Sequence, residues 1–158
     1  MSKAFKISRI VLTVLLVVFI FWDMKGEKIS SADFETVHTK VLTAAELPDT
    51  MQNADNRMVK RFYGLNANDF EHCVLYSPAS NMDAHEMLLI QLKSVDQGAA
   101  VEAAIRERLA TQKNSFDGYG AEQTKLLNDC VLKVQGNYVL FLVCENAAKA
   151  GSAFADAL

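Results

Sequence analysis

Apolar residues run without interruption from Ile10 to Trp22, read IVLTVLLVVFIFW, with Thr13 as the single polar member and Lys3, Lys6 and Arg9 ahead of it. As a helix this stretch covers about 20 Å at roughly 1.5 Å per residue, short of a bilayer core roughly 30 Å thick. Extending it back through Ala4–Ser8 gives near-spanning length if Lys6 and Arg9 snorkel to the headgroups, and Trp22 beside Phe21 suits the far interface. The pattern predicts a transmembrane signal anchor over residues 1–24, with the three cations on the cytoplasmic side. A cleaved secretory signal is the alternative, because the run also has the length of its apolar region. The flank DMKGEKISS has no small-x-small pair close to the run and no Cys for lipid attachment. Residues 25–30 read as a juxtamembrane linker and residues 31–158 as one extracytoplasmic domain.

Downstream the period changes. Phe34, Val37, His38, Val41, Ala44 and Ala45 recur at helical spacing, behind Ser30 or Ser31 as cap and ahead of Pro48 as stop. A second helix is expected from about Thr50 to Tyr63, with Met51, Met58 and Phe62 inward and Gly64 as a left-handed cap on which Leu65 folds back. Phe70–Ser77 and His85–Lys93 read as a hairpin around a loop holding Pro78. Ser94 or Asp96 then caps a long helix to about Lys113, with Val101, Ala104, Ile105 and Leu109 on its inner side.

Asn114–Gly120 is a loop and Ala121–Leu127 a short helix. Cys130–Gln135 and Tyr138–Cys144 flank Gly136-Asn137, a two-residue hairpin turn, so Gln135 faces Tyr138, Lys133 faces Leu140 and Val131 faces Leu142. That register puts Cys130, Leu132 and Val134 on one face with Val139, Phe141 and Val143, the more apolar face. Asn146 caps a terminal helix anchored by Phe154 and Leu158. The expected fold is α+β: a four-stranded, mainly antiparallel sheet with helices packed on one face, in the order ααββαββα, strand order open.

Charge narrows the partners. The chain of 158 residues has a formal charge of −3, and its first 25 residues carry four Lys/Arg against one Asp, leaving −6 on the rest. So acidic a domain is not expected to bind nucleic acid or to lie flat on anionic lipid. The expected partners are the bilayer, through the N-terminal segment, and a membrane or cell-surface protein. Arg57, Lys60 and Arg61 form a basic face on the second helix, either simply solvated or a docking patch for an acidic partner.

Catalytic signatures are sparse. Cys73, Cys130 and Cys144 form no C-x-x-C. The hairpin register turns Cys130 and Cys144 to opposite faces, which disfavours a bridge between them, and all three read most simply as small buried hydrophobes. His72 adjoins Cys73, but neighbours on a strand point to opposite faces. His72, Asp83, His85 and Glu86 cluster near the first hairpin; if Ser77 pairs with Asp83, Leu75 pairs with His85, the two histidines point apart, and no metal or other cofactor is expected. His38 reads as a hydrogen-bonded boundary residue rather than a ligand. No G-x-S-x-G, phosphate loop or H-E-x-x-H is present. Gly118-Tyr119-Gly120 is either a flexible turn or a ligand-contacting loop with Tyr119 at its tip, and Asp117 and Glu122 beside it make a conceivable acid/base pair.

From Tyr119 through Glu122-Gln123, Leu126-Leu127 and Val131 to Gly136-Asn137-Tyr138-Val139, with the strand His85–Lys93 ahead of a long helix, the chain resembles an uncharacterised bacterial family. Its members are small proteins with an N-terminal anchor and one extracytoplasmic domain of unknown function. The likeness covers about Ser31–Leu158, rests on spacing and order, and transfers no catalytic residue. It implies an accessory role beside membrane-bound acyl-transfer machinery acting on cell-surface glycans. The expected function is therefore a non-catalytic binding or interaction module, with a contact loop at Asp117, Tyr119 and Glu122. The alternative is a small surface enzyme that acts on cell-wall or glycan substrate with acidic residues.

Overall fold

The computed structural model describes Thr13, residues 29–118 and residues 120–158. The expected anchor and the first part of the linker lie outside the described residues, among which no helix is long and apolar enough to cross a membrane. Residues 29–158 hold five α-helices and five strands: α1 (Phe34–Ala45), β1 (Met51–Ala54), α2 (Asn56–Tyr63), β2 (His72–Pro78), β3 (Glu86–Gln91), α3 (Gly98–Phe116), α4 (Ala121–Asn128), β4 (Val131–Gln135), β5 (Tyr138–Val143) and α5 (Ala147–Ala157). The fold is α+β. All strand pairs are antiparallel, in the order β1-β2-β3-β5-β4.

Two expectations are corrected. The sheet has five strands, because Met51–Ala54 forms an edge strand against β2, Met51 opposite Pro78 and Ala54 opposite Leu75; α2 starts only after it, where Asp55 accepts the Met58 amide at 3.2 Å. Helices also cover both faces of the sheet. On one face Leu75, Leu88, Ile90, Val139, Phe141 and Val143 share a core with residues of α2, α3 and α4. On the other Met87, Leu89, Tyr138, Leu140 and Leu142 share one with α1 and α5. A strand buried on both faces carries no polar alternation, which is why β5 is buried at every position from Tyr138 to Val143.

Several local expectations hold. Gln135, Lys133 and Val131 face Tyr138, Leu140 and Leu142, and Cys130 and Cys144 enter different cores. Gly64 is the left-handed cap of α2 at φ 67°, and Ser94 caps a 3-10 turn that runs into α3. The cap of α1 differs: Asp33, not Ser30 or Ser31, takes the Thr36 amide at 3.0 Å. Helix α3 continues through Phe116, into the segment expected to be a loop.

Three contacts set how the chain enters this body. The Ser30 amide donates to Asn137 Oδ1 at 2.8 Å, and Ser30 Oγ donates to the Leu158 carbonyl at 3.1 Å. Asn137 sits in the β4–β5 turn, and its carbonyl accepts the Leu92 amide at 2.8 Å. Entry is thus at the Gln91 end of β3; Glu86 is at the other. Where α5 crosses β4, a Cβ on Gly151 would stand 3.0 Å from Val131 Cγ1, tighter than ordinary packing allows. Gly151→Leu is expected to lower the urea midpoint of unfolding, by about 1–3 kcal/mol of stability.

Candidate functional site

Glu86 opens β3 and is fully buried. Burying a carboxylate is costly unless it is paired and hydrogen-bonded, and two helices supply the partners. Tyr63, the last residue of α2, donates its hydroxyl to Oε1. One turn apart on α3, Arg108 donates from Nη2 at 2.7 Å and from Nε at 3.2 Å, and Gln112 donates from Nε2 at 3.0 Å, all to Oε2. The i, i+4 spacing of Arg108 and Gln112 puts both on one stripe of the helix. Arg108 is further fixed by Phe62, whose ring lies 3.9 Å from the guanidinium carbon. Burial, and then the charge of Glu86, drive the Tyr63 hydroxyl well above its ordinary pKa, so it stays a donor.

Two members of this cluster, Arg108 and Gln112, line a cavity of about 460 Å³ between α2, α3 and the β2–β3 loop, together with Arg61, Phe62 and Asp83. Gln112 carries one unmatched polar atom: its Oε1 is buried without a hydrogen-bond partner. Gln112 as a residue is only 5 % exposed. Its amide orientation is set by Glu86, which can only accept, so the carbonyl oxygen is the end left over.

The β2–β3 loop is held by a second cluster. His85 meets Asp83 Oδ1 through Nδ1 at 2.5 Å and Glu145 Oε2 through Nε2 at 3.0 Å. Burial pulls the pKa of His85 down, but hydrogen bonds and charge from the two carboxylates outweigh it, and the net shift is upward from 6.5. Glu145 shifts the opposite way, below 4.5, mainly through its hydrogen bond to His85. A raised imidazole pKa stabilises the fold fully below the unfolded value and loses that contribution as pH rises through the folded value. The Glu145 contribution is present above the unfolded carboxylate value and fades as pH falls. The urea-midpoint gap between wild type and His85→Gln is therefore expected to be larger at pH 6 than at pH 9. An equal gap at both would mean that the cluster carries no charge-dependent stability.

The expected hairpin pairing is corrected by three residues: Leu75 faces Leu88, not His85. The longer loop lets Asp83 turn back onto the His85 amide at 3.0 Å. His72 and His85 are therefore separated along the strands, not by facing opposite ways. His72 lies beside Gln91 and its ring stacks on Phe34 at 4.7 Å, whereas His85 precedes Glu86. His38 meets the Tyr76 hydroxyl at 3.3 Å. Among the described residues no group of three His, Cys, Asp or Glu could hold a metal ion.

Asp117 and Glu122 are both exposed, at the end of α3 and in the first turn of α4. Tyr119 lies outside the described residues. Glu122 borders a cavity of about 390 Å³ with Met82, Phe116 and Gln123, and Gln123 accepts the Ala84 amide at 2.7 Å, tying α4 to the β2–β3 loop. The cysteines are free thiols. Burial pushes Cys73 up to about 12 and Cys144 up to about 11, the reverse of what an activated nucleophile needs. In native protein at pH 8, iodoacetamide is expected to label both at least about tenfold more slowly than in urea, followed by mass spectrometry. Rapid labelling of Cys73 would count against its burial.

Reading the sequence missed Tyr63, Arg108 and Gln112 altogether and noted Glu86 only as a possible metal ligand. A usable signal existed: Glu86 heads an otherwise apolar run, EMLLIQ, where a charge requires a partner.

A family model described as Domain of unknown function (DUF4358) matches residues 43–144. No curated protein and no solved structure matches the chain.

Proposed function

The chain belongs to the DUF4358 family, whose function is unknown, and on that premise we propose that it is a membrane-tethered, extracytoplasmic, non-catalytic binding module. The observation that carries this reading is the unmatched buried carbonyl of Gln112, a residue that lines the cavity beside Arg108. An unsatisfied buried acceptor costs about 1–3 kcal/mol, and an occupant with a hydrogen-bond donor recovers that cost on binding. Arg108 is held in place by Glu86 and Phe62 before any ligand arrives, so little side-chain entropy is lost on contact. Support for a non-catalytic role comes from His85, the partner of the cavity residue Asp83, which has both ring nitrogens engaged by carboxylates. The tether rests on the apolar run Ile10–Trp22 behind three cations. The accessory role in cell-surface glycan modification rests on the family likeness.

The test is complementation in cells lacking the endogenous chain. Ser115→Trp, which places a large ring in the mouth of the cavity, is expected to abolish function while leaving the unfolding midpoint unchanged. Asp117→Asn combined with Glu122→Gln is expected to retain function; its loss, with the fold intact, would favour the surface enzyme. Full function in Ser115→Trp would remove the cavity from the account. For the tether, a reporter active only outside the cytoplasm and fused after Leu158 should be active; activity restricted to a cytoplasmic reporter reverses the topology.

A further inference from the structure

The cavity does not stand alone. It shares Arg61, Phe62 and Arg108 with a hollow of about 360 Å³ that reaches Gly64 and Ala104. At its other end it shares Met82 and Phe116 with the hollow of about 390 Å³ at the start of α4. The three make one groove along α3 from Ala104 to Phe116, about 18 Å at 1.5 Å per residue. That length accommodates five or six residues of extended chain at roughly 3.3 Å each. A small molecule is ordinarily enclosed in a single concave site.

The groove is polar in a directed way. On α2, Lys60 and Arg61 make no ion pair among the described residues, whereas Arg57 pairs with Asp55 and Arg108 with Glu86. Glu107 shares that end, so two unpaired cations stand against one carboxylate. Midway, Gln112 Oε1 lacks a donor. At the far end Met82 is 65 % exposed, an apolar side chain in water beside Phe116. On the same flank Asp83 is already engaged by the His85 ring.

We infer that the groove's occupant is an extended polypeptide segment of a partner protein, with an acidic side chain over Lys60 and Arg61, a backbone N–H on Gln112 Oε1 and an apolar side chain against Met82. The inference rests on the binding reading above and names its partner class. A backbone amide is a donor without charge, which suits an isolated carbonyl acceptor. The acidic residue meets cations whose pairing costs no existing salt bridge, which sets the direction of the bound chain.

The test uses the full chain in cells, with photoreactive benzoylphenylalanine at Glu122, exposed on the rim of the groove, and, as control, at Ser152 on α5. The expected result is a crosslink from Glu122 alone to a protein segment that carries Asp or Glu within a few residues of a large apolar side chain. Lys60→Glu with Arg61→Glu should cut its yield about tenfold. A synthetic peptide of the captured segment should bind the purified chain about tenfold more weakly when Arg61 is Glu, and more weakly at high salt in wild type. A lipid or glycan adduct, a segment without an acidic residue, indifference to charge reversal, or no adduct at all would each overturn the polypeptide partner. The binding reading survives those outcomes so long as Ser115→Trp still abolishes function; if Ser115→Trp is fully active, both fall.

Discussion

Arg108→Ala should lower the free energy of unfolding by about 3–5 kcal/mol, read from urea denaturation of the full chain at pH 7. The substitution removes three hydrogen bonds and the only cation found beside it among the described residues from a carboxylate with no exposure to water. It also strips the cover from the face of Phe62. What remains is an ion at the seam of β3, α2 and α3, and the cost is mainly that of leaving its charge uncompensated. The paired replacement Glu86→Met with Arg108→Leu should recover most of the loss, because apolar residues of similar volume often replace a buried ion pair at little net cost. A loss below about 1 kcal/mol in Arg108→Ala would mean that Glu86 finds water. The preorganised cation invoked for ligand binding would then lose its support.

Phe154→Ala should cost about 3–5 kcal/mol. Phe154 is fully buried on α5 and meets Tyr138 edge-on, with ring centroids 6.5 Å apart and planes at 71°. Its core contains Val37 and Val41 of α1, and Leu140 and Leu142 of β5. Removing the ring opens a void between two helices and a sheet that cannot easily collapse onto it. The same experiment on Leu88→Ala, in the core on the other face, should cost about 2–5 kcal/mol. Comparable losses are the thermodynamic signature of a sheet covered on both sides. A cost near zero for Phe154→Ala would mean that α1 and α5 are only loosely docked.

Local chemistry was the legible part of this sequence. The Gly136-Asn137 turn set the β4–β5 register, and the left-handed requirement at the end of α2 singled out Gly64. The 3.6-residue spacing of Phe34, Val37 and Val41 found the buried stripe of α1. What failed were properties of the assembled sheet. Met51-Gln-Asn-Ala54 has little intrinsic strand preference; it is extended because β2 offers it an edge, and a reading confined to its own residues joined it to the following helix. The second helical layer was readable in principle. Met87–Ile90 and Tyr138–Val143 are continuous apolar runs of the kind that strands show when both faces are buried, but a preference for the more apolar face of one hairpin concealed it. Tyr63, Arg108 and Gln112 come from separate elements, and no spacing rule brings them to Glu86 before the layers are stacked.

The Ser30 contacts have a consequence for orientation. They fasten the leading end of the domain to the β4–β5 turn, at the far end of a six-residue central strand from Glu86, about 20 Å away at roughly 3.3 Å per residue. Ser30 is thus held at one end of the sheet, and the cavity that Ser80 and Ser115 help to line lies beside the other.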